Sequence, residues 1–265
     1  MNRFDSMFSR LEGERRGAFV PFVVLGHPDL EASGRALDLL ARSGADAIEV
    51  GLPFSDPIAD GPTIQRATTR ALAKGATPSR CFEVVARFRS SHPDVPLGLL
   101  TYANLVVRPG VDAFYAAAGR AGIDAVLVAD VPHREARPFA EAAKSAGVAP
   151  VLLAPADAPA AALEAIATLG EAFTYVLARR GVTGVRSELH LDHARTFDAL
   201  AKLGAPPPLM GFGISEPSHV RAALTAGARG VIVGSKCVAI LDREADEETR
   251  LAELGRYVAS MKAET

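Results

Sequence analysis

The run Ala47-Ile48-Glu49-Val50-Gly51-Leu52-Pro53-Phe54-Ser55-Asp56-Pro57-Ile58-Ala59-Asp60-Gly61-Pro62 carries the two carboxylates best suited to chemistry in this chain. Glu49 stands in a short apolar run, where period-2 alternation turns it away from Ile48 and Val50, and Asp60 lies on the loop that follows. An ionised carboxylate in apolar surroundings is costly unless it is paired or hydrogen-bonded. The cheaper outcome is a raised pKa, which suits a group that donates or accepts a proton near neutral pH. A buried glutamate satisfied by local hydrogen bonds is the purely structural alternative.

These groups need a frame. Short apolar runs recur at residues 19–25, 47–50, 97–101, 125–129, 149–153, 173–177, 208–211 and 230–233. Helical patterns intervene at 30–43, 78–90, 111–121, 134–146, 158–169, 192–203 and 215–226, several ending in a small residue plus Gly. Eight strands alternating with helices imply parallel βα units, and 265 residues fit one (β/α)8 TIM barrel, for which about 250 is typical. A doubly wound open sheet is the alternative architecture. Residues 4–11 read as an extra N-terminal helix closing the barrel bottom, and 247–261 as a terminal helix. No linker or repeat interrupts residues 1–265, so one domain is expected. In such a barrel the chemistry sits at strand C-terminal ends and the loops after them, where Glu49 and Asp60 fall.

Glycine-bearing turns follow the late strands: Gly181-Val182-Thr183-Gly184, Gly211-Phe212-Gly213-Ile214-Ser215 and Gly234-Ser235. Loops after strands 7 and 8 form the frequent phosphate site of this fold, because glycine lets backbone N–H groups approach an anion. The spacing lacks a dinucleotide fingerprint, so the expected phosphate belongs to a small metabolite. Lys236 follows directly; a nearby dianion or simple exposure to solvent accounts for it equally. Phe22, Tyr102, Tyr175 and Phe212 fall at or near strand ends and together suit one flat apolar pocket for an aromatic ring.

Composition narrows the classes. Hydrophobic residues make up 49%, enough for a sizeable core, and the net charge of −2 has no long run of either sign to favour nucleic acid or membrane. The two cysteines, Cys81 and Cys237, form no CxxC pair, and residues 2–16 lack the apolar core of a signal peptide, so a cytoplasmic protein is expected. His190, Asp192 and His193 lack metal-site spacing, and no metal is expected. None of the five lysines lies in a predicted strand, which argues against a Schiff-base aldolase.

With these residues assembled, the sequence resembles the α subunit of tryptophan synthase over nearly its whole length. The segment "IEVGLPFSDPIADGPTIQ" (48–65) looks like that family's signature, and "TYANLV" (101–106), "VLVADVP" (126–132), "RRGVTG" (179–184), "GFGIS" (211–215) and "GS" (234–235) agree in order. The resemblance implies retro-aldol cleavage of indole-3-glycerol phosphate to indole and glyceraldehyde 3-phosphate, with no cofactor in this chain. It implies Glu49 as general acid and base and Asp60 as the group stabilising the indole N–H. Phe22, Leu100, Tyr102, Ala129, Leu153, Tyr175 and Phe212 would surround the indole. Gly184, Gly213, Gly234 and Ser235 would hold the phosphate, and residues 179–189, with Thr183, would form a lid. A β subunit carrying pyridoxal phosphate is the implied partner in an α2β2 assembly, touched by Pro53, Asp56, Pro57 and Asn104. Ala178, Arg180 and the 236–239 run Lys-Cys-Val-Ala depart from the family's usual residues. Another phosphate-binding barrel lyase or isomerase, or a non-catalytic regulator of a β partner, is the competing reading.

Overall fold

The computed structural model describes residues 2–155, 157–178 and 193–265. Eight parallel strands, β1 (Ala18–Val24), β2 (Ile48–Gly51), β3 (Leu97–Thr101), β4 (Ala125–Val128), β5 (Ala149–Ala154), β6 (Thr174–Leu177), β7 (Pro208–Gly211) and β8 (Gly230–Val233), close into a barrel in which each pairs with the next and β8 with β1. The eight-stranded barrel expected from the alternation is therefore the observed fold. Helices α1 (Arg3–Glu14), α2 (Leu30–Arg42), α3 (Pro62–Ala73), α4 (Pro78–Ser91), α5 (Ala103–Val107), α6 (Val111–Ala121), α7 (Ala136–Ser145), α8 (Ala160–Leu169), α9 (Ala194–Lys202), α10 (Pro217–Thr225), α11 (Ser235–Leu241) and α12 (Glu247–Lys262) surround it. No described helix is long and apolar enough to cross a membrane.

Helices α3 and α5, like the short α11, escape the periodicity argument. α3 buries Ile64, Ala67, Thr68 and Ala71, a helical stripe too rich in small residues to stand out, and it opens with Pro62 at a position where proline is favoured. α5 is only five residues long and buries Val106 alone. The helix expected over 134–146 divides into a 3-10 turn at His133–Glu135 followed by α7. At the end of α6, Gly122 takes a left-handed conformation (φ 97°), the glycine stop that its sequence signals.

Register decides which side chains enter the barrel. Phe22 pairs with Glu49, Glu49 with Gly98, and Gly98 with Ala125, so these four share the interior face. Ile48 and Val50 point the other way and are fully buried under the helices. The floor is closed by α1, whose Phe4 ring lies 5.1 Å from Phe173. A Cβ placed on Gly98 would lie 3.8 Å from Phe4 and 3.9 Å from both Glu49 Cγ and Phe173, so Glu49 and the two floor aromatics all border this glycine.

One carboxylate secures the floor. Asp46, just before β2, accepts from Phe19 N at 2.9 Å, from Arg16 at 2.9 and 3.1 Å, from Arg10 at 3.2 Å and from Lys262. It thereby ties α1, the entries to β1 and β2, and α12. Burial alone would raise its pKa, but the hydrogen bonds from Arg16, Lys262 and Phe19 outweigh it and hold the pKa below the usual carboxylate range. Asp46→Asn is expected to lower unfolding free energy by about 3 kcal/mol at pH 7, measured by urea denaturation. Because the folded-state pKa is depressed, the deficit should shrink as pH falls through it; a deficit independent of pH would contradict this account.

Candidate active site

Glu49 is 2% exposed, inside the barrel on β2, and among the described residues its Oε2 has no hydrogen-bond partner. Desolvation, with a smaller contribution from the charge of Asp60, pushes its pKa up to about 8. At neutral pH Glu49 is thus a carboxylic acid with a proton to give.

Asp60 sits on the loop between β2 and α3, one residue before Gly61, the N-cap of α3. Its backbone is fixed at both groups: its N–H donates to Pro57 O at 3.1 Å, and Gln65 Nε2 donates to its carbonyl at 2.9 Å. Its side chain accepts a 2.8 Å hydrogen bond from the Tyr102 hydroxyl. Burial raises its pKa and that hydrogen bond lowers it, leaving about 6. Asp60 is therefore predominantly ionised at pH 7 while Glu49 is not. Tyr102 immediately follows β3, and its ring stacks on Phe54 at 5.4 Å. Sequence reading placed Tyr102 among pocket aromatics and missed both its bond to Asp60 and the part played by Phe54 and Gln65. Lying 42 residues from Asp60, the tyrosine has no local signal that betrays the pair.

The apolar side chains fall on the same interior face. Leu100 pairs with Leu127, and Leu153 with Tyr175, continuing the phase set by Glu49. Phe22, Leu100 and Tyr175 are buried, whereas Ala129, Leu153 and Phe212 are half-buried at the barrel mouth. Tyr175 meets Phe212 edge-on at 5.5 Å. Gly211 lies directly beneath the Tyr175 ring: a Cβ there would come within 2.3 Å of the hydroxyl oxygen, so only glycine fits. Phe212 adopts a left-handed backbone (φ 62°), a strain of the sort held at functional sites.

Gly213 is exposed beyond β7, and Gly234 and Ser235 are half-buried where β8 passes into α11. Lys236 is exposed. Asp56 and Asn104 are exposed, Pro57 is half-buried, and Pro53 is buried beneath its loop. Thr183, Gly184, the 179–189 segment, Arg180, His190 and Asp192 lie outside the described residues. Among the described residues no group of three or more His, Cys, Asp or Glu could hold a metal. Two histidines with no evident role in the sequence cap strand ends: His133 Nε2 is 2.7 Å from Leu153 O, and His193 Nε2 is 2.8 Å from Leu177 O.

Residues 8–265 match the family described as tryptophan synthase alpha chain. The chain belongs to that family. The tryptophan synthase alpha chain of Shewanella oneidensis is 51% identical across 100% of this chain and 95% of its own length, and that of Escherichia coli is 51% identical across 100% and 99%. Among solved structures, the tryptophan synthase alpha subunit of Legionella pneumophila superposes with a TM-score of 0.86 at 28% identity, covering 100% of this chain and 98% of that one. A chain from the tryptophan synthase a2b2 complex of Pyrococcus furiosus gives 0.85 at 35% identity, covering 94% and 98%. The family resemblance carried by the strand 2 segment is thus matched along the whole alpha chain.

The burial of Glu49 has a measurable consequence. A carboxyl whose pKa rises on folding favours the fold fully only below its unfolded value of about 4.3, and the benefit is lost as pH rises towards 8. Glu49→Gln, neutral at every pH, should therefore melt at a higher temperature than wild type at pH 8, with the gap closing towards pH 5. A gap that stays constant over this range would mean that Glu49 is not desolvated.

Proposed function

We propose that Glu49 and Asp60 divide the acid–base work of cleaving indole-3-glycerol phosphate to indole and glyceraldehyde 3-phosphate, the lyase step of tryptophan synthase in tryptophan biosynthesis. The observation that carries this reading is the placement of two buried carboxyls on β2 and the loop after it. Glu49 has an oxygen without a partner among the described residues and Asp60 is held by the Tyr102 hydroxyl, surroundings that keep a proton on Glu49 and favour the Asp60 carboxylate. Glu49 delivers its proton to indole C3, and the ring nitrogen takes up the positive charge. Asp60 accepts a hydrogen bond from that N–H and stabilises the charge. The bond between C3 and the glycerol carbon then breaks, its electron pair restoring the aromatic ring. The hydroxyl proton of the departing carbon passes to the Glu49 carboxylate as the C–O bond becomes the aldehyde, which regenerates the acid. Positioned groups of this kind typically contribute about 10²–10⁴-fold each.

Phe22, Leu100, Tyr102, Ala129, Leu153, Tyr175 and Phe212 are the proposed surroundings of the indole, with Thr183 on the lid. Backbone donors at Gly184, Gly213, Gly234 and Ser235 are the proposed phosphate contacts. The proposed partner is a β subunit carrying pyridoxal phosphate, with none bound by this chain. It would meet the face around Asp56, Pro57 and Asn104, with Pro53 as support behind it. Ile58, 74% exposed, and Val107, 55% exposed, add apolar surface to the same two segments, which favours a partner there. Both cysteines are free and buried, in keeping with a reducing cytoplasm.

The rate profile tests the division of labour. kcat/KM for indole release should be bell-shaped, falling below pH 6 as Asp60 is protonated and above pH 8 as Glu49 ionises. Tyr102→Phe removes a bond that favours the Asp60 carboxylate, so the acid limb should move to higher pH; an unmoved limb would assign it to another group. Glu49→Gln should abolish turnover while substrate still binds by calorimetry, and undiminished turnover would sink the mechanism.

A further inference from the structure

The barrel wall is parted towards the C-terminal ends of β4 and β5. β3 and β4 pair as far as Thr101 and Val128, and β5 and β6 as far as Ala154 and Val176, but the pairing of β4 with β5 ends at Leu127 and Val151. Beyond that point the Leu153 carbonyl is met by His133 Nε2 from the 3-10 turn, and since a carbonyl only accepts, this nitrogen carries the proton. The parted strand ends border a cavity of about 100 Å³. Tyr115 of α6 and Phe139 and Ala140 of α7 line its helix side, while Ala129 and Leu153 line it from the barrel side. Leu153 is the register partner of Tyr175, so its side chain also faces the interior. Leu153 and Ala129 thus border both the cavity and the interior face at the point where β4 and β5 are no longer paired.

Given the reading above, on which this rests, we propose that Leu153 is a specificity-determining residue. It partitions the indole pocket from the cavity between β4 and β5, makes the native enzyme select against a substituent at the benzo-ring position facing that cavity, and on truncation opens an annex for such a substituent. The size of the annex sets what it takes. A cavity of about 150 Å³ admits benzene, so one of about 100 Å³ suits one to three heavy atoms but not a second ring. No Asp, Glu, Lys or Arg lines it, the lining His133 is engaged through Nε2 with the Leu153 carbonyl, and burial alone pushes the Tyr115 hydroxyl above the usual tyrosine range. Charged substituents are therefore excluded, and methyl, chloro or hydroxyl groups fit.

The test is steady-state kinetics on indole-3-glycerol phosphate and its 4-, 5-, 6- and 7-methyl derivatives. Wild type, Leu153→Ala and the double variant Leu153→Ala/Ala140→Leu are compared, with melting curves confirming that each is folded. Wild type should discriminate against at least one methyl position by roughly 10- to 200-fold in kcat/KM, the range for one misplaced methylene-sized group. Leu153→Ala should relieve that discrimination about tenfold relative to the parent substrate, and filling the annex with Ala140→Leu should restore it. Equal use of all four derivatives by wild type overturns the partition. So does a Leu153→Ala variant that slows every substrate in proportion, or a double variant that retains the relaxed preference. Failure of wild type to cleave the parent substrate overturns the underlying functional reading together with the partition, a result distinguishable from an unaltered methyl preference.

Discussion

The desolvation of Glu49 is the constraint from which the arrangement of this barrel follows. A glutamate in water is ionised at pH 7 and has no proton to give; only exclusion of water from its surroundings makes it an acid. Phe4 and Phe173 close the barrel below Glu49, and Phe22 is its neighbour on β1. Phe4 belongs to α1, which packs across the barrel floor and is held there through Arg10, Arg16 and the ion cluster on Asp46. A salt-bridge network at one end of the molecule thus anchors the helix whose Phe4 closes the floor of the barrel.

Asp60 shows the opposite solution with the same functional group. It stands on a loop rather than a strand, and it is anchored through its backbone to Pro57 and Gln65. The Tyr102 hydroxyl favours its charged form and offsets part of the burial penalty. Its charge in turn disfavours ionisation of Glu49. Two carboxyls in one site thereby settle into different protonation states, Glu49 through desolvation and the charge of Asp60, Asp60 through burial offset by the Tyr102 bond.

Much of this was legible from the chain. The bounds of β3, β7 and β8 coincide with the apolar runs that announce them, since a strand buried on both faces has no polar interruption to blur its ends. That Glu49 turns away from Ile48 and Val50 follows from alternation, and the register shows that its face is the interior one. What escaped notice depends on distant partners or muted patterns. The Tyr102–Asp60 bond joins residues on successive loops, and the cap that His133 places on Leu153 has no local motif. α3 hides its apolar stripe in alanine and threonine, and the role of Asp46 emerges only when three cations from two helices and a turn converge on it.

The central claim is that Glu49 is neutral and Asp60 ionised in the same protein at the same pH. Carbon-13 NMR titration of the side-chain carboxyls of Glu49 and Asp60 measures this directly, with Glu49→Gln and Asp60→Asn used to assign the two signals. The account predicts a midpoint near 8 for Glu49 and near 6 for Asp60. A Glu49 carboxyl that titrates near 4.3, as in an open peptide, would contradict it.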